Sequence, residues 1–437
     1  MKAYFERVAR NTGLGLISGV VILFAGVTRA ILLGRFFDLS TFGYFVICIN
    51  LVAFAKILLQ VGLADTILRF YPEYETKERP EALSSLVLLG AYLSALVTLL
   101  VVLSAWLFSP AIAAYWYDQP DLAGPILWIA LLSGGFMFSN TATAILRVQN
   151  KFHLAIIFPS IGACLGPLLI FIFHIRDQLT LSNAVLAVGL GEGIGIVGST
   201  VVAGIQIRKK LSFSKAILKL EPLRAEAREI KSTLTQTSLF GILQSSTQIG
   251  GILLLGVLGT PAQVAVLGMA TQLSRPLNLV QSSVGSAVSP EITRMHAEGK
   301  LTILHCFITR YVRTASVLLA LGLLMAWMLA PPAISFFLMP EYLEVVPVFL
   351  IFLASSGLVM TFQPFLPVAI ARGEVRRRNV VVCFRFVYLG IACLMGLSAM
   401  GVALSLLAGN LTIRLLNDLP LWGRVRKASL AASKIPS

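Results

Sequence analysis

The stretch Ala270 to Asn278, ATQLSRPLN, puts a guanidinium inside an apolar segment long enough to cross a bilayer. At helical spacing Thr271, Arg275, Asn278 and Ser282 share one face. Arginine at mid-membrane costs about 2.5 to 3.5 kcal/mol on insertion scales. The face therefore either lines a polar cavity that receives an anion, or the arginine is paired within the protein. Four more cations fall in apolar segments: Arg29, Lys56, Arg385 and Arg414. Arg385 and Arg414 lie near segment ends and are expected to snorkel to the interface. Arg29 in GVTRAILLG and Lys56 in AFAKILL lie deeper, as Arg275 does. These three are expected to face one functional cavity, the alternative being a structural ion pair with Asp65 or Glu192.

Carboxylates inside apolar segments are few. Glu192, in GLGEGIGIVG, is placed to exchange protons or sodium, or to serve as counter-ion to a basic residue. Asp65, at the cytoplasmic end of the second segment, is the other candidate for ion coupling. The glycines around Glu192 mimic a dinucleotide-binding fingerprint, but no strand precedes them, and close helix packing accounts for them. A second polar face carries Thr237, Gln244 and Gln248 at helical spacing. Lipid rejects such a face, so it points at protein or at water. Together with Thr271, Asn278 and Ser282 it suits a polyhydroxylated ligand, with interhelical hydrogen bonding as the alternative.

Enzyme signatures are missing. The chain has no Walker A sequence, its four histidines show no ligand spacing, and its five cysteines are scattered without a CxxC pair. No catalytic residue, cofactor or metal is expected. Nor is nucleic acid, despite a formal charge of +15, because the basic residues sort by membrane side.

These residues must be positioned by membrane helices. The chain is 57% hydrophobic and 13% charged over 437 residues, with a mean hydropathy of +0.86. That is the composition of a polytopic membrane protein. Apolar windows fall at about 12–34, 42–63, 84–108, 122–146, 154–175, 183–205, 234–258, 262–288, 312–330, 345–368, 379–398 and 400–418. Twelve spans put both termini on one side. Loops on that side hold 28 of the 35 Lys and Arg residues, and the opposite loops hold Arg35 and Arg176. Both termini are thus expected in the cytoplasm. The first window is read as a retained helix and not as a cleaved signal.

At an offset of 225 residues, Leu33-Gly34 and Gly43 match Leu258-Gly259 and Gly268, and Ala144 to Arg147 match Ala369 to Arg372. The chain is therefore expected to be an all-α membrane protein of two six-helix halves around a central cavity, residues 1–207 and 234–418. A cytoplasmic amphipathic linker (208–233) and a cytoplasmic tail (419–437) complete the expected layout.

The segments LLGRFFDLSTFGYF (32–45), GLADTILRFYPE (62–73) and LGTPAQVAVLGMATQLSRP (258–276), followed by Ser289-Pro290-Glu291, resemble the bacterial polysaccharide-export flippases, the Wzx-type members of the multidrug/oligosaccharidyl-lipid/polysaccharide superfamily. The likeness runs over nearly the whole length. It implies a transporter of the bacterial inner membrane that moves a polyprenyl-diphosphate-linked oligosaccharide to the outer leaflet by alternating access, for O-antigen, capsule or exopolysaccharide export. A polysaccharide polymerase and export machinery are its implied partners, beside membrane lipids. In the related lipid II flippases basic residues of the first, second and eighth helices line the cavity, and Arg29, Lys56 and Arg275 match them by helix and depth. The resemblance thus points to a diphosphate site at these three residues. The competing expectations are a cation-coupled drug antiporter of the same superfamily and a non-transporting subunit of a polysaccharide synthase.

Overall fold

The computed structural model describes residues 2–149, 151–210, 223, 226–297, 300–371 and 380–432. Every apolar window named above is mostly helical over its described residues, and no strand occurs among them. Nine of the described helices are long and apolar enough to cross a membrane. Of the other windows, 234–258 contains the shorter apolar helix Ser245–Leu258 and 379–398 the shorter apolar helix Val380–Leu394, while 262–288 carries the polar face of Arg275 and Asn278.

The chain divides into two compact units. The first holds Met1–Phe36 and Tyr44–Leu253, the second Phe37–Gly43 and Leu254–Ser437. Within the first unit run α1 (Lys2–Phe36), most of α2 (Leu39–Leu58), α3 (Leu63–Thr76), α4 (Pro80–Ala111), α5 (Ala123–Ser133), α6 (Phe136–Val148), α7 (Phe152–Ile175), α8 (Leu181–Lys210) and most of α9 (Ala227–Leu258). The second unit contains α10 (Pro261–Ala297), α11 (Leu301–Phe337), α12 (Val345–Thr361), α13 (Phe365–Ala371), α14 (Phe384–Leu394), α15 (Ala399–Ile413) and α16 (Leu419–Ala432). Of the expected linker 208–233, residues 211–222, 224 and 225 lie outside the described residues.

Glycine fixes the tightest helix pair. A Cβ on Gly162 of α7 would lie 2.4 Å from the Gly191 carbonyl of α8, and one on Gly191 would lie 2.4 Å from the Gly162 carbonyl. The two backbones touch without side chains between them, so the glycine run of α8 is a packing seam, as its position in a span requires. In the second unit a Cβ on Gly43 would lie 1.9 Å from the Pro261 carbonyl, which places the repeated glycine where one backbone crosses another.

Two spans are discontinuous. The window at 122–146 breaks at Gly134-Gly135 between α5 and α6, and the window at 345–368 breaks at Phe362 to Pro364 between α12 and α13. These breaks fall in the same window of each repeat, a correspondence that extends the symmetry seen in sequence.

α3 is an additional amphipathic helix between the second and third windows. It buries Leu63, Thr66, Ile67, Phe70, Tyr71 and Tyr74, a three-and-four spacing that gives it one apolar face. Its polar side is tied to the start of α9. Arg79 bonds Glu226 at 2.6 Å, the Tyr74 hydroxyl donates to the same carboxylate at 2.7 Å, and Arg69 pairs with Glu229. The segment after 418 continues as α16, whose Leu421 and Val425 join Ile292, Leu304, Ile308, Phe365 and Val368 in a buried cluster.

Candidate functional site

Three titratable groups of the sequence reading meet in the first unit. Lys56, in the last turn of α2, places Nζ 2.9 Å from Oε2 of Glu192 on α8. Arg29 of α1 stands within electrostatic reach of the same carboxylate. The Lys56 side chain is 16% exposed and that of Glu192 42%, so the pair is partly open and not sealed in a core. Glu192 is positioned at backbone level, since Gly191 beside it touches Gly162. A Cβ on Gly193 would lie 3.0 Å from the Leu132 carbonyl, so α8 is held as closely against α5.

The break in the fourth window completes the cluster. Ser133, the last residue of α5, is buried close to Glu192, with its hydroxyl donating to the Ile129 carbonyl of its own helix at 2.6 Å. Phe136, the first of α6, lies beneath Lys56 with its ring centroid 5.9 Å from Nζ. Neither residue figures in the sequence reading. Its available signal was Gly134-Gly135 within an otherwise apolar window, the pattern of a helix interrupted where it lines a polar site.

The charges leave this cluster with two cations around one carboxylate. Such a site is neutralised in part and keeps an attraction for an anion. Glu192 takes the counter-ion role that the sequence left open beside ion coupling.

The remaining candidates are distributed differently. Arg275 and Asn278 are exposed on α10 in the second unit, and Thr271, half-buried, donates its hydroxyl to the Gly268 carbonyl of its own helix at 2.7 Å. Ser274, on another face of α10, is buried and bonds the Ala270 carbonyl. The separation of exposed Arg275 and Asn278 from buried Ser274 follows the helical phase expected from sequence. Gln248 is exposed on α9, within the first unit. The side chains of Thr237, Gln244 and Ser282 lie outside the described residues. Asp65 is exposed in the first turn of α3, where a carboxylate faces the positive end of the helix dipole.

The two shallower cations are placed otherwise than expected. Arg414 does not snorkel: its side chain is 4% exposed and pairs with Asp418, at 0%, four residues on in a π-helical turn. Asn417 bonds the other carboxylate oxygen at 2.8 Å, and the Phe362 ring stands 5.7 Å from the guanidinium carbon. A buried cation needs a counter-charge, and Asp418 supplies it. Arg385 lies across Gly409 and bonds Asn410, which in turn donates to the Ser355 hydroxyl at 2.7 Å. Both arginines therefore serve polar networks within the second unit. Among the described residues no group of three His, Cys, Asp or Glu side chains could hold a metal ion.

A family profile described as "Polysaccharide biosynthesis protein" matches residues 8–296. No curated protein sequence matches the chain. Among solved structures, the lipid II flippase MurJ in an inward closed conformation superposes with a TM-score of 0.68 at 15% identity, over 96% of this chain and 93% of its own. An inward-facing multidrug resistance MATE family transporter of the MOP superfamily gives a TM-score of 0.66 at 16% identity, over 97% and 96%. A MOP superfamily transporter from Pyrococcus furiosus, described as having a binding pocket of reverse polarity, gives 0.58 at 14% identity, over 97% and 96%. At these identities the likeness establishes the fold alone: the all-α membrane architecture that these proteins share.

Proposed function

The chain belongs to the polysaccharide biosynthesis protein family, and on that premise we propose that it is a flippase for a polyprenyl-diphosphate-linked oligosaccharide, serving export of a surface polysaccharide. It would act in the inner membrane with both termini in the cytoplasm. The halves at residues 1–207 and 234–418 are the bodies that alternate. The observation that carries the reading is the cluster of Arg29 and Lys56 around Glu192 beside a broken helix.

In this reading the carboxylate is a placeholder. It holds Lys56 when no substrate is present, and a diphosphate, with more negative charge and more acceptor oxygens, displaces it. Arg29 offers the planar fork that binds phosphate oxygens in pairs, and Lys56 a point charge on a flexible stem. Arg275 is the third cation of the headgroup site, while Thr237, Gln244, Gln248, Thr271, Asn278 and Ser282 receive the sugars. Substrate drives the cycle only through contacts that differ between its two states. Exchange of the Glu192 salt bridge for a diphosphate contact is one such difference.

The test is export of a defined lipid-linked oligosaccharide in a deletion strain complemented with this chain. Arg275→Ala and Arg29→Ala at normal membrane abundance should abolish export; wild-type export from either refutes its place in the headgroup site. A second reading, cation-coupled antiport of small molecules, is favoured by the partly exposed Glu192 carboxylate. It predicts that Glu192→Gln abolishes the response of transport to a pH gradient, whereas the flippase reading requires only that a counter-charge be lost.

A further inference from the structure

We propose that the second unit binds an anionic phospholipid at the junction of α11 and α16, a site apart from the substrate cluster. A cavity of about 430 Å³ opens there, lined by His305 and Thr309 of α11 and by Leu419, Trp422, Gly423 and Arg426 of α16. His305 and Thr309 are four residues apart and so stand on one face of α11. The lining combines a guanidinium and an imidazole with an indole, a set that receives a phosphodiester at a membrane interface, while the Thr309 hydroxyl donates to the His305 carbonyl at 2.9 Å.

The surrounding charge has one sign. The α11 segment contributes Lys300, Arg310 and Arg313, and α16 contributes Arg424, Arg426 and Lys427. Neither 300–314 nor 419–432 contains an acidic residue, and the neighbouring Asp418 is already paired with Arg414. An anion is the complementary ligand.

The helix below the cavity indicates that the anion is a lipid. α11 is almost wholly outward-facing: in its apolar window only 6% of residues are buried. Beyond Arg313 the helix presents Val317, Leu324 and Trp327 to the outside, 55%, 52% and 63% exposed. Thr309 to Trp327 spans about 27 Å at helical rise, close to the hydrocarbon thickness of a bilayer. A headgroup seated in the cavity would thus have its acyl chains beside the outward-facing apolar residues that follow Arg313 and Ser316. Trp422 beside the cavity and Trp327 at the far end mark the two interfaces.

Gly423 provides a clean test. A Cβ there meets nothing within 4 Å, so a larger side chain enters the cavity without displacing protein. Purified protein in a neutral detergent would be titrated with phosphatidylglycerol, with phosphatidylcholine, and with glycerophosphoglycerol as a soluble headgroup. Bound lipid would be read by native mass spectrometry and stability by thermal unfolding. Phosphatidylglycerol should be retained and should raise the unfolding temperature; the other two should do neither. Gly423→Leu should remove the bound lipid, Arg426→Gln should weaken binding about fivefold, as expected for one lost cationic contact near a membrane surface, and His305→Ala should weaken it through loss of a hydrogen-bonding group. Unchanged binding in Gly423→Leu, in a variant whose unfolding without lipid matches the wild type, overturns the site. Equal retention of phosphatidylcholine, or an equal effect of the soluble headgroup, overturns the anionic-lipid assignment.

Discussion

A double-mutant cycle on Lys56 and Glu192 tests the candidate site at its most specific contact. At 2.9 Å the pair would be worth about 1.4 kcal/mol at the dielectric constant of water and about 6 kcal/mol at an effective value of 20. The actual worth lies between these bounds. The Glu192 side chain is 42% exposed within a membrane span, and where the space beside it holds water the pair approaches the surface limit of about 0 to 1 kcal/mol. Lys56 is 16% exposed, so its removal approaches the situation of a buried pair, where loss of one partner costs about 3 to 5 kcal/mol. Arg29 remains near the carboxylate when Lys56 is gone and recovers part of the loss. Lys56→Gln and Glu192→Gln should therefore each destabilise by about 1 to 3 kcal/mol, and the double variant should show a coupling of about 1 to 2 kcal/mol. The assay is unfolding by SDS in mixed micelles, followed by tryptophan fluorescence. Additivity within about 0.5 kcal/mol would refute the pairing and the placeholder role built on it.

Two other outcomes follow from groups outside this cluster. Asp418→Asn leaves Arg414 buried and without its counter-charge, and should cost about 3 to 5 kcal/mol in the same unfolding assay, whereas joint replacement of both by apolar residues of similar volume should cost much less. The contact of α3 with the start of α9 should weaken in acid. Glu226 has its pKa held below the ordinary value of 4.5, first by the Tyr74 hydroxyl and then by Arg79. A depressed folded-state pKa contributes stability that is present above the unfolded value and lost as pH falls through the folded one. Hydrogen exchange over residues 226–233 should accordingly rise below about pH 4.5 and not between pH 5 and 8; in Glu226→Gln that step should vanish.

Periodicity and hydropathy carry most of the architecture, because lipid demands long apolar helices and the described residues of every apolar window are mostly helical. They are blind to interruptions that keep the composition apolar. Gly134-Gly135 hardly changes the hydropathy of its window, yet it ends one helix and sets Ser133 and Phe136 beside the charges. α3 is short and half-polar, so a twenty-residue window averages it into the loop, although its buried face repeats at helical spacing. Depth along a span separated Arg29, Lys56 and Arg275 from Arg385 and Arg414, but pairing is a matter of three dimensions. Lys56 of α2 and Glu192 of α8 are 136 positions apart, and only the folded chain brings them to one place. Arg414 reads differently in structure because Asp418, which sequence assigns to a loop end, lies one turn away on the same buried face.

The glycine contact of α7 with α8 has a mechanical meaning. With Gly162 and Gly191 in backbone contact, the Glu192 carboxylate is mounted on a plate of two helices that cannot slide past each other without opening a void. Lys56 reaches it from α2 on four methylenes, each bond of which can rotate. Electrically the contact is a salt bridge, but mechanically it is a rigid post and a slack tether. When α2 rocks or shifts along its axis, the lysine can pay out length and keep the carboxylate neutralised, so the charge need not be exposed each time the helices change their angle.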